Sequence, residues 1–207
     1  GDDDLEKGFP NLEKHVENIH NFGLPAVVAL NRFPDDTDAE VEAVRSFCEA
    51  KGWPMEVSEV FARGSEGGKE LASTVLDIID RDARVKHSYD LKDDLKTKIE
   101  KLSKKVYGAD GVIFSVDASG HIRSLERRGY GELPICVAKT QFSISDNPRL
   151  KGRPKDFEVF VRGVDVSAGA GFIIVYMGDV MLMPGLPKEP AAVGMGIDED
   201  GDIYGVF

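Results

Sequence analysis

The chain contains a continuous apolar run at residues 24–30, Leu24-Pro25-Ala26-Val27-Val28-Ala29-Leu30, with turn-forming residues on both sides. A run of this kind is typical of a parallel β-strand that is buried on both faces, because helices cover both sides of such a sheet. Helical patterns flank it at 11–22 and after Thr37, where Thr37 and Glu40 form a capping box. A second strand at 55–61 and a further helix follow. This order of elements predicts part of a doubly wound α/β sheet.

The pattern changes after the polar, aperiodic stretch at 82–91, which is the best candidate for a linker. We therefore predict that residues 1–84 end an α/β domain and that residues 85–207 form a smaller α+β domain rich in β-hairpins. The elements predicted in the second domain are a helix capped by Asp90, a strand at 111–114, a helix capped by Asp117, and strands at 157–166, 171–177, 180–183, 196–197 and 203–204. Two strands are too few for a doubly wound sheet to cover its own edges. The first domain is therefore completed either by the rest of the chain or by strands that precede residue 1.

The composition is that of a globular protein with a strong negative charge. Of the 207 residues, 42% are hydrophobic and 30% are charged, and the formal net charge is −11. A surface of that sign repels phosphate backbones and anionic lipids, which argues against general nucleic-acid or membrane binding. No apolar stretch reaches the roughly 18 residues of a membrane span. Cys48 and Cys136 are expected to be buried free thiols, and together with the acidic N-terminus they favour a cytoplasmic protein.

Two aromatic residues lie at the ends of the two strands predicted in the first domain. Phe33 follows Asn31 and Arg32 and is held by Pro34, and Phe61 ends the second strand. Ligands of open α/β sheets lie beyond the carboxyl ends of the strands, so the two rings could clamp a flat ring system between them. The alternative is that both rings fill the rim of the core.

Two other segments could bind anions. Gly64-Ser65-Glu66-Gly67-Gly68-Lys69 lies between a strand and a helix, where backbone N–H groups attract phosphate, but it departs from the Walker pattern. A plain strand-to-helix turn fits it equally well. A basic segment at 149–155 could bind an anionic tail or a neighbouring subunit, or could be a solvated loop; its cations are Arg149, Lys151, Arg153 and Lys155. The histidines do not cluster in the sequence, so they predict neither a metal site nor a catalytic triad.

Six blocks of sequence extend over nearly the whole chain. They are VVALNRFPDDTDAE at 27–40, SEVFARGSEGG at 58–68, YGADGV at 107–112, LPICVAKTQFSISD at 133–146, VSAGAGF at 166–172 and MPGLPKEPAA at 183–192. In this order and spacing they resemble the formate–tetrahydrofolate ligases, also called 10-formyltetrahydrofolate synthetases. The resemblance implies an enzyme that condenses formate with tetrahydrofolate through formyl phosphate. It implies ATP with Mg²⁺, a monovalent cation and a homotetramer.

The resemblance also implies roles for the residues at the strand ends. Phe33 and Phe61 correspond to the two aromatics that sandwich the folate pterin, with Pro34 beside them and Val57 lining the same pocket. The family often has Trp at the position of Phe61. The residues expected near the nucleotide are Asn31, Arg32, Ala62, Arg63 and Gly64.

The family's P-loop and its catalytic basic residues would precede residue 1. The resemblance therefore implies that this chain is the C-terminal portion of a longer ligase, that it begins with the end of a P-loop-like nucleotide-binding domain, and that it is inactive alone. Residues 85–207 would be a structural domain that helps to shape the folate site. The resemblance assigns no step of the ligation reaction to four cationic side chains of this domain, which are Lys139, Arg149, Lys151 and Arg153. The alternative is a non-catalytic assembly or regulatory module derived from the same fold.

Overall fold

The computed structural model describes residues 2–79, 83–178, 180 and 187–206 of the chain. Its α-helices are α1 (Asp2–Asn21), α2 (Asp38–Lys51), α3 (Val60–Arg63), α4 (Lys69–Ile79), α5 (Leu95–Leu102) and α6 (Val116–Arg127), with 3₁₀ segments at Gly64–Gly68 and Ala191–Gly194 and a π-helical turn at Ser103–Tyr107. The strands are β1 (Val28–Asn31), β2 (Met55–Ser58), β3 (Gly111–Phe114), β4 (Ile135–Ala138), β5 (Glu158–Ser167), β6 (Phe172–Met177), β7 (Gly196–Ile197) and β8 (Ile203–Tyr204). The fold is mixed α/β. None of the described helices has both the length and the apolar character that crossing a lipid bilayer requires.

The first two strands form a parallel pair, in which Val28 lies beside Met55. The predicted capping box is present at the start of α2, and Gly52 ends that helix with a φ of 69°. One core joins α1, α2 and the strand pair; its buried side chains are Val16, Ala26, Val28, Val44, Cys48 and Met55. The parallel pairing is thus confirmed, and the wider doubly wound sheet stays a prediction.

Both strands are shorter than the sequence predicted. β1 begins only at Val28, and Ala29 is exposed, so this strand is not buried on both faces. β2 ends at Ser58, because the N–H of Glu59 donates to the Gly67 carbonyl at 3.0 Å and the chain then turns into α3.

The second sheet has four strands in the order β3-β5-β6-β4. Its central pair, β5 and β6, is an antiparallel hairpin whose turn ends at Gly171 with a φ of 75°. The outer pairs β3–β5 and β4–β6 are parallel, which the sequence did not predict. Helices α5 and α6 contribute to the core beneath this sheet, whose fully buried side chains include Leu95, Ile99, Ala118, Val159, Val161, Ile173, Val175 and Met177. The predicted hairpin of β7 and β8 is confirmed. The hairpin of β5 and β6 was not predicted, because the sequence pattern paired 171–177 with 180–183 across Gly178-Asp179, and most of that second strand lies outside the described residues.

The N-cap residues of two helices differ from those predicted from the sequence. α5 begins after Asp94, whose Oδ1 accepts a bond of 2.7 Å from the N–H three residues later, and not after Asp90. α6 likewise begins after Ser115 and not after Asp117. The carboxylate of Asp90 is engaged elsewhere, since it accepts the N–H of Lys92 in the preceding turn. A side chain caps a helix only where its oxygen reaches the first free N–H groups, and Asp94 and Ser115 hold those positions.

The prediction that both cysteines are buried is wrong for one of them. Cys48 is buried, and burial raises the pKa of its thiol. Cys136 is exposed. It lies in β4 between Ile135 and Val137, which pack against the core, and alternate residues of a strand face opposite sides of the sheet.

Helix α1 contacts both halves of the chain. Towards the first half, its Phe9 ring stacks on that of Phe47 with a centroid distance of 4.1 Å. Towards the second half, Arg153 donates two bonds of 2.8 Å to the Glu17 carboxylate, and Lys14 donates to a carbonyl of the π-helical turn at 3.0 Å. The basic segment predicted as an anion site, a subunit contact or a solvated loop therefore pairs in part with the chain's own first helix.

Candidate functional site

Phe33 and Phe61 lie beside each other just beyond the ends of the parallel strand pair. Their ring centroids are 5.5 Å apart, and the ring planes are inclined by 56°. The exposed fractions of the two residues are 50% and 72%, so neither ring is packed into the core rim. The structure thus brings together the two aromatics that the sequence singled out.

The space between the two rings is too narrow for a third ring in this conformation. Carbon atoms in contact are about 3.5–4.0 Å apart, so a flat ligand between two parallel rings needs roughly 7 Å between their centroids. A sandwich therefore requires one ring to rotate, whereas a ligand that stacks on an outer face requires no movement. Both rings are exposed enough for either arrangement.

The two rings border a cleft of about 290 Å³, which we call the aromatic cleft. Its lining residues are Asn31, Arg32, Phe33, Ser58, Val60 and Phe61. Val57, which was expected in this pocket, packs against the core instead and is not among the described residues that line the cleft. Val60 lines it in its place. This residue was predicted to lie inside the strand at 55–61 and was therefore not expected at the cleft, whereas it begins α3. Only the turn of α3 brings its side chain to the cleft.

Local hydrogen bonds and one close approach hold the two rings in position. The N–H of Phe33 donates to Asp36 Oδ2 at 2.8 Å, and the N–H of Asp36 donates back to the Phe33 carbonyl at 3.1 Å. Phe61 lies in α3, whose start packs against Gly67 so closely that a Cβ there would lie 2.5 Å from the carbonyl of Glu59. Glycine is therefore needed where these two segments touch.

Two arginines near the aromatic cleft are each paired with a carboxylate. Arg32 Nη2 lies 2.6 Å from Asp38 Oδ1, and Arg63 Nη1 lies 2.9 Å from Glu59 Oε2. Exposed pairs of this kind contribute only about 0–1 kcal/mol. A guanidinium also has five N–H donors, so both arginines keep donors for an anionic group of a ligand.

The other residues expected at the site lie either in the lining of the aromatic cleft or on the surface around it. Asn31 and Arg32 line the aromatic cleft, whereas Ala62, Arg63 and Gly64 lie on the exposed surface next to it. Pro34 is exposed beside Phe33. Within the described part of the chain, no three or more His, Cys, Asp or Glu side chains are grouped so that they could hold a metal ion.

One protein family matches the chain as a whole. The sequence model of the family described as formate–tetrahydrofolate ligase matches residues 2–207. The match therefore includes the aromatic cleft as well as the four-stranded sheet.

Proposed function

The chain belongs to the formate–tetrahydrofolate ligase family, and on that basis we propose that the complete protein ligates formate to tetrahydrofolate at the expense of ATP. A formate oxygen attacks the γ-phosphorus of ATP, which gives formyl phosphate and ADP. The N10 amine of the folate then attacks the formyl carbon, phosphate leaves, and the amine loses a proton. The product is 10-formyltetrahydrofolate.

The proposal places the pterin of the folate at the aromatic cleft. The observation that carries it is the pair of exposed rings, Phe33 and Phe61, in contact at the ends of two parallel strands. Stacking of a flat heterocycle on an aromatic side chain stabilises a complex by about 1–3 kcal/mol per ring. Pro34 restricts the backbone beside the first ring and so limits the entropy lost on binding.

The nucleotide is proposed to lie against the neighbouring strand-end surface, which comprises Asn31, Arg32, Ala62, Arg63 and Gly64. The support is the exposure of this surface and the N–H donors that its two paired arginines retain. Mg²⁺ would neutralise phosphate charge, but no described residue is assigned as its ligand. The P-loop, the formyl phosphate site and the homotetramer contacts belong to the complete enzyme, in which residues 85–207 would help to shape the folate site.

Replacing Phe33 by Ala in the complete enzyme tests the pterin assignment. Loss of one stacking surface should raise the KM for tetrahydrofolate by about 5- to 100-fold, which corresponds to the stacking energy above. The KM for ATP should change little, because the nucleotide does not stack on this ring. Val116→Ala is the control, since Val116 is 87% exposed and lies outside the cleft; it should leave both KM values unchanged.

An equal rise in both KM values would contradict the pterin assignment. The isolated 207-residue chain, measured in the same assay, should bind folate weakly and release no ADP from ATP and formate. Turnover by the isolated chain would refute its proposed role as a part of the ligase. A complete protein that binds folate but forms no product would favour the non-catalytic module instead.

A further inference from the structure

The two-stranded sheet of the first half has a free strand edge. In the described part of the chain, β1 pairs with β2 alone. The N–H groups of Val28 and Arg32 donate to backbone carbonyls at the two ends of β2, at 2.8 and 2.9 Å. Alternate residues of a strand direct their backbone groups to opposite edges, so Ala29 and Asn31 direct theirs to the free edge. Parallel strands occur almost only in sheets that are covered on both faces.

The two faces of this sheet are covered by different helices. Val28 and Met55 share a core with α1 and α2. Glu56, the next residue along β2, faces the other way and accepts a bond of 2.8 Å from the hydroxyl of Thr74 in α4. Helix α4 therefore lies on the opposite face from α1 and α2. On that face Ala29 is exposed, so α4 covers β2 but leaves β1 uncovered.

Helix α4 also has an apolar side that is uncovered in the described part of the chain. Four exposed side chains recur there at the spacing of one helix face, and we call them the α4 stripe: Ala72, Val75, Leu76 and Ile79. Leu76 is 66% exposed and Ile79 is 64% exposed. The stripe lies on a flank of the helix and not on the side of Thr74, which faces β2. An apolar flank of this kind fits a neighbouring helix on the same face of the sheet.

The handedness of the connections indicates on which side the sheet continues. Crossovers between parallel strands are right-handed in about 98% of cases. Helix α2 leads the chain from β1 to β2, so a helix on the same face leads the chain in the same direction. Helix α1 lies on that face and leads into β1. The strand that precedes α1 therefore lies beyond β1, at its free edge.

The α4 stripe points to the same side of the sheet. Gly67, just before α4, lies against Glu59 at the end of β2, whereas Thr74, further along α4, reaches back to β2 itself. Helix α4 thus runs antiparallel to β2, and on a right-handed helix with this direction and on this face the stripe points towards β1. Packed helices lie about 8–10 Å apart and strands about 4.8 Å apart, so a helix on the stripe lies roughly two strands from β2. It would cover the back of β1 and of the strand beyond it.

We propose that the free edge of β1 and the α4 stripe together dock a strand and a helix from the part of the polypeptide that precedes α1 in the complete enzyme. The strand would pair parallel to β1 and lead into α1, and the helix would lie on the α4 stripe. A second copy of the chain would meet β1 antiparallel, because a twofold axis reverses the strand direction. It would not supply the parallel strand that leads into α1. The proposal rests on the proposed function, since that function assigns the chain to a longer ligase.

Cysteine labelling of the complete enzyme tests the α4 stripe. Leu76→Cys places a thiol in the stripe, and the matched control Ser73→Cys places one on the same helix outside the stripe; both positions are exposed in the described chain. In the complete enzyme, the Leu76→Cys thiol should react with N-ethylmaleimide at least about tenfold more slowly than the Ser73→Cys thiol. Mass spectrometry of the labelled peptides separates them from other cysteines. In the isolated 207-residue chain the two thiols should react at similar rates.

Hydrogen exchange of the unmodified protein tests the strand edge, and it decides the matter if Leu76→Cys does not fold. Peptides that contain Ala29 and Asn31 should exchange at least about tenfold more slowly in the complete enzyme than in the isolated chain. Equal labelling of the two thiols in the complete enzyme, or equal exchange of the strand peptides, would overturn the proposal. Protection of the isolated chain that increases with its concentration would also overturn it, because a second copy would then be the occupant.

Neither measurement depends on turnover. A complete protein that protects both regions but forms no 10-formyltetrahydrofolate would contradict the proposed function alone. An active ligase in which either region is unprotected would contradict the docking proposal alone.

Discussion

Substituting Gly67 by Ala should push α3 away from the segment that follows it. The added Cβ would lie 2.5 Å from the carbonyl carbon and oxygen of Glu59 and 2.9 Å from the nitrogen of Val60. All three atoms belong to the backbone, so no side chain can rotate away, and the segments must separate by roughly 1 Å to reach ordinary contact distance. Insertions of this kind cost about 1–3 kcal/mol of unfolding free energy. Because Phe61 follows Val60 in the same turn, we also expect weaker folate binding at the aromatic cleft.

Urea unfolding measures this effect, and Gly120→Ala is the matched control. Gly120 lies inside α6 with no atom within 4 Å of the position that a Cβ would take. Alanine there should stabilise the chain by about 0.5–1 kcal/mol, because glycine loses more backbone entropy in a helix. The two substitutions add the same methyl group and should change the urea midpoint in opposite directions. An unchanged midpoint for Gly67→Ala would refute the steric argument.

Three further predictions concern reactivity, pH and the contact between the two halves. Cys136 is exposed and should react with a thiol reagent in the folded chain. Cys48 should react only after unfolding, because it is buried and burial raises the pKa of its thiol. Counting the labelled thiols before and after denaturation checks both expectations. Burial raises the pKa of Tyr107 to about 12 in the folded chain, whereas an exposed tyrosine of the unfolded chain ionises near the ordinary value of 10.0. The stabilisation that the neutral Tyr107 side chain provides should therefore be complete below pH 10 and should be lost as the pH rises to about 12. The loss should amount to about 2–3 kcal/mol in alkaline unfolding experiments and should be absent in Tyr107→Phe. A double-mutant cycle of Arg153→Met and Glu17→Gln should give a coupling energy of about 1–2 kcal/mol from urea unfolding, and additive effects would show that this pair does not hold α1 in place.

Features that depend on a few neighbouring residues could be predicted from the sequence. The capping box and Gly52 fix the two ends of α2, and both are present. β3 has the predicted bounds of Gly111–Phe114, and the short hairpin near the C-terminus pairs as expected. In each case the signal lies within one segment, so the rest of the chain does not have to be known.

Features that depend on distant segments could not be predicted. The parallel pairing of β3 with β5 joins strands far apart in sequence, and no local pattern encodes it. The proximity of Phe33 and Phe61 was predictable, because neighbouring parallel strands end at the same edge of a sheet. Their direct contact was not, since it depends on the turn of α3, which in turn depends on the close approach at Gly67. Val60 was missed for the same reason.

Helix α1 bears on how the polypeptide can be divided. A shortened version that starts at residue 85 would keep Arg153 but lose the carboxylate that the guanidinium binds, and it would expose the carbonyl that Lys14 covers. A version that stops before the polar stretch at 82–91 would leave the same helix with one side uncovered. The two halves therefore contact each other along the surface of α1 as well as through the connecting loop, where the N–H of Lys86 donates to the Phe22 carbonyl at 2.8 Å. Truncation boundaries are better chosen from these noncovalent contacts than from the change in the sequence pattern.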